Sequence, residues 1–139
     1  MEAMNIGGAS KASGISAKRI RHYEQVGLVA AASRTDAGYR QYDERDVHTL
    51  RFIRNARDLG FSISEIGELL GLWRDRRRPS RQVKTLAEGH IQELERKVQG
   101  LLAMKATLEH LVRRCRGDER PECPILESIS SGTAAARFL

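Results

Sequence analysis

The feature that most constrains this chain is a run of apolar positions spaced alternately by four and three. Ala87, Ile91, Leu94, Val98, Leu101, Leu108, Val112 and Cys115 line one face of a helix that Ser80 is placed to cap and that reaches about Arg114. Lys105 is the polar interruption in this seam. Gly89 and Gly100 weaken such a helix by roughly 1 kcal/mol each relative to alanine. The head that precedes Ser80 is too small to cover so long a stripe, so a second chain is its natural cover. The spacing admits a parallel or an antiparallel pair, and a helix folded back on its own head is the alternative.

Composition narrows the class. With 139 residues, 40% hydrophobic and 30% charged, the chain suits one small domain plus an extended element. That apolar share leaves little for a double-sheet core, yet it is too rich in Leu, Ile and Val for a disordered chain. No run approaches the ~18 apolar residues of a membrane span. Met1-Glu2-Ala3-Met4-Asn5 lacks the basic region and apolar run of a signal peptide. The expected address is the cytoplasm, where the two cysteines are not expected to form a structural disulfide. The net charge is +6, with the basic excess in residues 1–42 and 76–114. Such a balance points to a polyanionic partner, nucleic acid first.

Local signals divide the chain into three parts. Asn5 can cap a short helix from Ile6 to Ser13 that Gly14 ends, and Ser16 a second from Ala17 to about Val26. The turn Ser13-Gly14-Ile15-Ser16 between them is a helix-turn-helix signature. Asp36-Ala37-Gly38 marks a hairpin, or wing, between Ser33 and Tyr42. A helix follows from Asp43 to Leu59. Ser62-Ile63-Ser64-Glu65 then reads as a capping box opening a helix to about Leu72. Asp75-Arg76-Arg77-Arg78-Pro79 is a basic break before the long helix. After Cys115 comes a seven-residue loop to Cys123, and Pro124 suits the first position of a helix to about Ser130, followed by a frayed tail. The expected architecture is mainly α: residues 1–75 a winged helix-turn-helix DNA-binding head, 76–114 a hinge and dimerisation helix, 115–139 a metal-binding loop, short helix and tail.

The head carries cations where DNA would meet it. Lys18 and Arg21 stand three apart on the outer face of the second helix, which can enter a major groove. The wing offers Arg34, Tyr39 and Arg40 for phosphates. The plainer alternative makes Tyr23 and Tyr39 half-buried core tyrosines and the arginines a solvated face. No Ser-His-Asp order, phosphate loop or zinc-protease motif is present, and His22, His48, His90 and His110 are scattered, so an enzyme is not expected.

These residues resemble the MerR family of bacterial transcription activators. The likeness rests on Asn5-Ile6, the run Arg21-His22-Tyr23-Glu24-Gln25-Val26-Gly27-Leu28, and the wing Gly38-Tyr39-Arg40-Gln41-Tyr42. It continues through Arg57-Asp58-Leu59-Gly60-Phe61-Ser62 and the long helix. Cys115-x7-Cys123-Pro124 resembles the copper-efflux branch, CueR- and HmrR-like, which senses Cu(I), Ag(I) or Au(I). There the start aligns with Met4. The resemblance implies a homodimer with an antiparallel coiled coil, acting in the cytoplasm at the nucleoid. Such proteins bend and untwist double-stranded promoter DNA with an over-long spacer, repress weakly without metal and activate RNA polymerase with it. By motif position Lys18, Arg21, Tyr23, Arg34, Tyr39, Arg40 and Arg57 would contact DNA. His22 departs from the aromatic residue of many relatives.

Thiolates are soft ligands, and two alone suit linear coordination of a monovalent d10 ion, whereas Zn2+ normally takes four ligands. The loop offers no histidine, and its Asp118, Glu119 and Glu122 are too hard for such an ion. Two thiolates and one monovalent cation leave a charge of −1. The start of the helix at Pro124 can offset it at Cys123. In the family, zinc- and mercury-responsive members carry a third cysteine where this chain has Ser80, and Lys84 stands where positive charge reaches the loop from the partner chain. The rival reading is a redox switch through a Cys115–Cys123 disulfide. In the metal reading, residues 115–130 become ordered and pack on the partner's hinge near Trp73.

Overall fold

The computed structural model describes residues 3–132. The first helices form where short polar side chains satisfy their free amides. Asn5 accepts from the Gly8 amide at 2.8 Å to open α1 (Ile6–Ser13), and Ser16 accepts from the Arg19 amide at 3.2 Å to open α2 (Ala17–Gln25). Gly14 ends α1 at φ 75°, a left-handed conformation that favours glycine.

The wing is a two-stranded antiparallel ribbon. β1 (Ser33–Arg34) pairs with β2 (Arg40–Gln41) in the register Ser33 to Gln41 and Arg34 to Arg40. Met4 and Tyr42 exchange both backbone hydrogen bonds, at 2.8 and 2.7 Å, which ties the segment before α1 to the end of the wing.

Two capping boxes open α3 (Glu44–Asp58) and α4 (Ile63–Arg74). The Ser62/Glu65 box is the expected one. The Asp43/Asp46 box places Asp43 outside the helix that it was expected to begin, and an aspartate does the work usual for Glu or Gln. α4 runs past Leu72 to Arg74, its last turn closed by the Asp75 amide on the Gly71 carbonyl.

α1, α2, α3 and α4 enclose one core. Ala9, Ile15, Ile20, Tyr23, Tyr42, Leu50, Ile53, Ile66 and Leu70 are buried in it. Tyr23 and Ile20 share this core from α2, while Val26 is half exposed. On its edge Trp73 lies between two rings of α3, stacked on Phe52 at 4.5 Å and on His48 at 5.2 Å between centroids.

The chain divides into two units, Met1–Val83 and Lys84–Leu139. α5 (Ser80–Arg114) is one continuous helix. Ser80 was expected to be its cap but is its first helical residue. The Pro79 carbonyl, which accepts from the Gln82 amide at 3.2 Å, holds the flanking position. Along α5 the seam lies open: Ile91, Leu94, Val98, Leu101, Leu108 and Val112 are all exposed, Leu101 by 63%. α6 (Pro124–Ser131) has Pro124 in its first turn and ends at Gly132. Most of the tail expected to fray lies outside the described residues. Among the described residues no helix is long and apolar enough to cross a membrane.

Candidate DNA-binding face and thiol pair

α2 presents its outer face to a concave surface of about 790 Å³ lined by Ser16, Lys18, Arg19, Arg21, His22, Tyr23, Gln25, Arg57 and Ile63. Four of the seven residues expected at DNA therefore meet there. Lys18 and Arg21 are exposed. Tyr23 is 2% exposed, a core residue whose hydroxyl accepts from Arg57 Nη1 at 3.0 Å. The other three lie on the wing. Arg34 Nη1 donates to the Gly38 carbonyl at 2.8 Å and braces the turn. Tyr39 is 72% exposed, and its amide donates to Thr35 Oγ1. Arg40 Nε donates to Glu24 Oε2 at 3.0 Å.

Glu24 is a joint that sequence reasoning missed. Its carboxylate sits on α2 and also accepts from the Tyr42 hydroxyl at 2.6 Å. One buried carboxylate thus binds the recognition helix to the start of β2 and to Tyr42 just past its end. Its side chain is 8% exposed against 30% for Arg40, so the pair is shielded from water. The signal in the sequence was the spacing of Glu24 to Arg40 and Tyr42, which only the folded hairpin makes meaningful.

Burial, and then the hydrogen bond to Glu24, push the Tyr42 phenol well above its ordinary value near 10. Holding it neutral stabilises the head at every pH below about 10, and that contribution drains away as pH climbs past 10 toward the folded value. Urea midpoints measured at pH 9 and pH 11 will fall more steeply in the wild type than in Tyr42→Phe, which has no phenol to ionise.

In the second unit, Cys115 follows the last residue of α5 and its amide still donates to Leu111 and Val112. Cys123 occupies the N-cap position of α6. Both thiols are free and half-buried, and the Cys115 side chain faces Cys123 closely enough to favour its thiolate. The Leu126 amide, and with it that of Ile125, faces the Cys123 sulfur. Together with the Cys115 contact these amides hold its pKa below the usual thiol value, against the opposing effects of burial and Glu127. None of these contacts has full cap geometry. Asp118 is occupied within the loop, accepting from the Arg120 amide at 3.0 Å, and Glu119 and Glu122 are exposed. The donor set is thus two soft sulfurs beside a helix N-terminus, which fits a monovalent thiophilic ion.

Ser80 and Lys84 are exposed on the first turns of α5. Thirty-one residues of helix separate Lys84 from Cys115, a rise of about 46 Å. Within one chain that lysine does not reach the thiols.

The chain matches the family described as MerR HTH family regulatory protein over residues 4–72, and that described as MerR, DNA binding over residues 47–111. It is 59% identical over 131 residues to heavy metal-dependent transcription regulator 2 of Rhizobium meliloti, covering 94% of this chain and 89% of that one. It is 39% identical to the transcriptional regulator CueR of Escherichia coli O157:H7, covering 91% and 94%. Among solved structures it resembles the regulator PbrR691 of Ralstonia metallidurans in complex with lead(II), with a TM-score of 0.78, 31% identity and coverage of 91% and 98%. By sequence and by fold the chain belongs to the MerR family of transcription regulators, groups with that family's heavy-metal-dependent members, and is not an enzyme.

Proposed function

We propose that this chain is a homodimeric transcription activator, a weak repressor without metal, that answers to a monovalent coinage-metal ion, Cu(I) before Ag(I) or Au(I). The observation that carries the reading is the pair of free, half-buried thiols, Cys115 just past the end of α5 and Cys123 at the N-cap of α6. A bound ion of this kind supplies a soft Lewis acid shared by the two sulfurs. Cys123 is readied by the α6 amides to give up its proton, and Cys115 joins the site to the end of the α5 seam. The remaining negative charge is offset by those amides and by Lys84 of a partner subunit, which an antiparallel pairing of α5 would bring near. Ser80 offers no third sulfur, which disfavours divalent mercury, lead and zinc.

The heads hold double-stranded promoter DNA through Lys18, Arg21, Tyr23, Arg57 and the wing residues Arg34, Tyr39 and Arg40. Activation comes from bending and untwisting an over-long spacer in front of RNA polymerase, in the cytoplasm, so deformation energy counts for more than base contacts. Copper efflux genes are the expected targets. The test is transcription in vitro from a long-spacer promoter with Cu(I), Zn2+ and Hg2+ compared. A response to Cu(I) alone supports the proposal, and a response to Zn2+ or Hg2+ equal to that for Cu(I) removes it. The same thiol proximity suits a Cys115–Cys123 disulfide, so oxidant without metal is the control that separates a redox switch.

Arg21→Ala is expected to weaken DNA binding equally with and without metal. If Arg21 meets a phosphate, the dependence of log K on log salt becomes shallower by about 0.9. A gel-shift series over salt concentration measures both.

A further inference from the structure

The turn of the helix-turn-helix is held from outside by α3. Arg51 Nε donates to the Ala12 carbonyl at 3.0 Å, across 39 residues of sequence. Ala12 lies in the last turn of α1, where carbonyls lack partners within the helix and the helix dipole is negative. Three residues further along α3, Arg54 covers Gly14, so that a Cβ added there would run into its guanidinium group. Beyond Gly14 come Ile15, buried in the core, and Ser16, the cap of α2. Arg51 thus holds, and Arg54 overlies, the segment that sets the direction in which α2 leaves α1.

We propose that Arg51 and Arg54 are positioning residues for DNA recognition. By closing on Ala12 and Gly14 they fix the angle of α2, and they act through the turn rather than on phosphates. The inference rests on the DNA-binding reading above. Arg51 Nε is committed to Ala12, and Arg54 leans toward Asp58 with Nε to Oδ2 at 4.0 Å. Non-specific DNA binding follows the number of cations that reach phosphates, whereas specific binding also needs the recognition helix at its proper angle. The two roles can therefore be separated.

The experiment uses the full chain, a duplex that the wild type selects from a randomised pool, and a random-sequence duplex, each titrated over a salt series. Two variants approach the turn from opposite sides. Arg51→Met keeps the length of the side chain but has no donor, and so removes the grip. Gly14→Asn keeps every charge and tolerates the left-handed backbone, but its Cβ displaces Arg54. Both are expected to lose about tenfold in affinity for the selected duplex. Affinity for the random duplex and the salt dependence should stay at wild-type values, with helix content unchanged by circular dichroism. Arg51→Lys should recover part of the loss, because an ammonium can also donate to Ala12. The proposal is overturned if Arg51→Met weakens both duplexes alike and makes the salt slope shallower by about 0.9, the mark of a lost phosphate contact. It is also overturned if Arg51→Met and Gly14→Asn bind the selected duplex as the wild type does. A wild type that selects no duplex removes the DNA-binding reading, and this inference with it.

Discussion

Cys115→Ser and Cys123→Ser will each hold promoter DNA as the wild type does and give no transcription response to Cu(I). Serine keeps the size and the hydrogen-bonding capacity of each side chain but replaces a soft, readily ionised sulfur with a hard hydroxyl, a poor ligand for a monovalent d10 ion. The change at position 123 is discriminating. Cys123 is the N-cap residue of α6, and serine is among the favoured N-caps, so α6 should be no less stable in the variant. A silent Cys123→Ser cannot then be blamed on a melted helix. Ag(I) titrated under reducing conditions should bind once per thiol pair in the wild type and not at all in either variant. Transcription that still rises with Cu(I) in either variant would refute the two-sulfur site, as would a wild type that needs an added thiol ligand to retain the ion.

Glu24→Ala will unfold the head at a markedly lower temperature and will lose specific DNA binding. Two hydrogen bonds end on this carboxylate, and each bond to a charged group is worth about 1.5–3 kcal/mol. The expected loss is roughly 3 kcal/mol or more, because the buried Tyr42 hydroxyl is also left without its partner. Function changes by a separate route. Arg40, freed from Glu24, no longer holds β2 against α2, so the wing and the recognition helix lose their common reference. An unpaired Arg40 should meanwhile raise affinity for random DNA. Glu24→Gln, which can still accept from Tyr42 but lacks the charge, should fall between wild type and alanine in melting temperature. Wild-type melting and wild-type discrimination in Glu24→Ala would show that the joint carries neither load.

How much was legible in the sequence follows the range of each interaction. Asn5, Gly14, Ser16 and the Ser62/Glu65 pair act within three or four residues, and the helices they bound formed where expected. Pro79 was misjudged because its carbonyl can flank a helix, which left Ser80 inside α5 rather than before it. That Tyr23 stands three residues from Ile20 pointed to an inward ring; that its hydroxyl meets Arg57, 34 residues away, did not show in any local pattern. Glu24 with Arg40 and Tyr42, and Arg51 with Ala12, span 16, 18 and 39 residues, beyond any local pattern. The cysteine pair was visible from its spacing and Pro124. The sulfur-to-sulfur contact and the amides behind Cys123 depend on how the loop closes.

The stacking of Trp73 between His48 and Phe52 makes the two units optically distinct. The chain has one tryptophan and three tyrosines, and all four lie before Lys84. Intrinsic fluorescence therefore sees the head alone. Far-ultraviolet ellipticity is weighted toward the 35 residues of α5. Recorded together on unlabelled protein, the two signals report whether head and helix melt as one body or in succession.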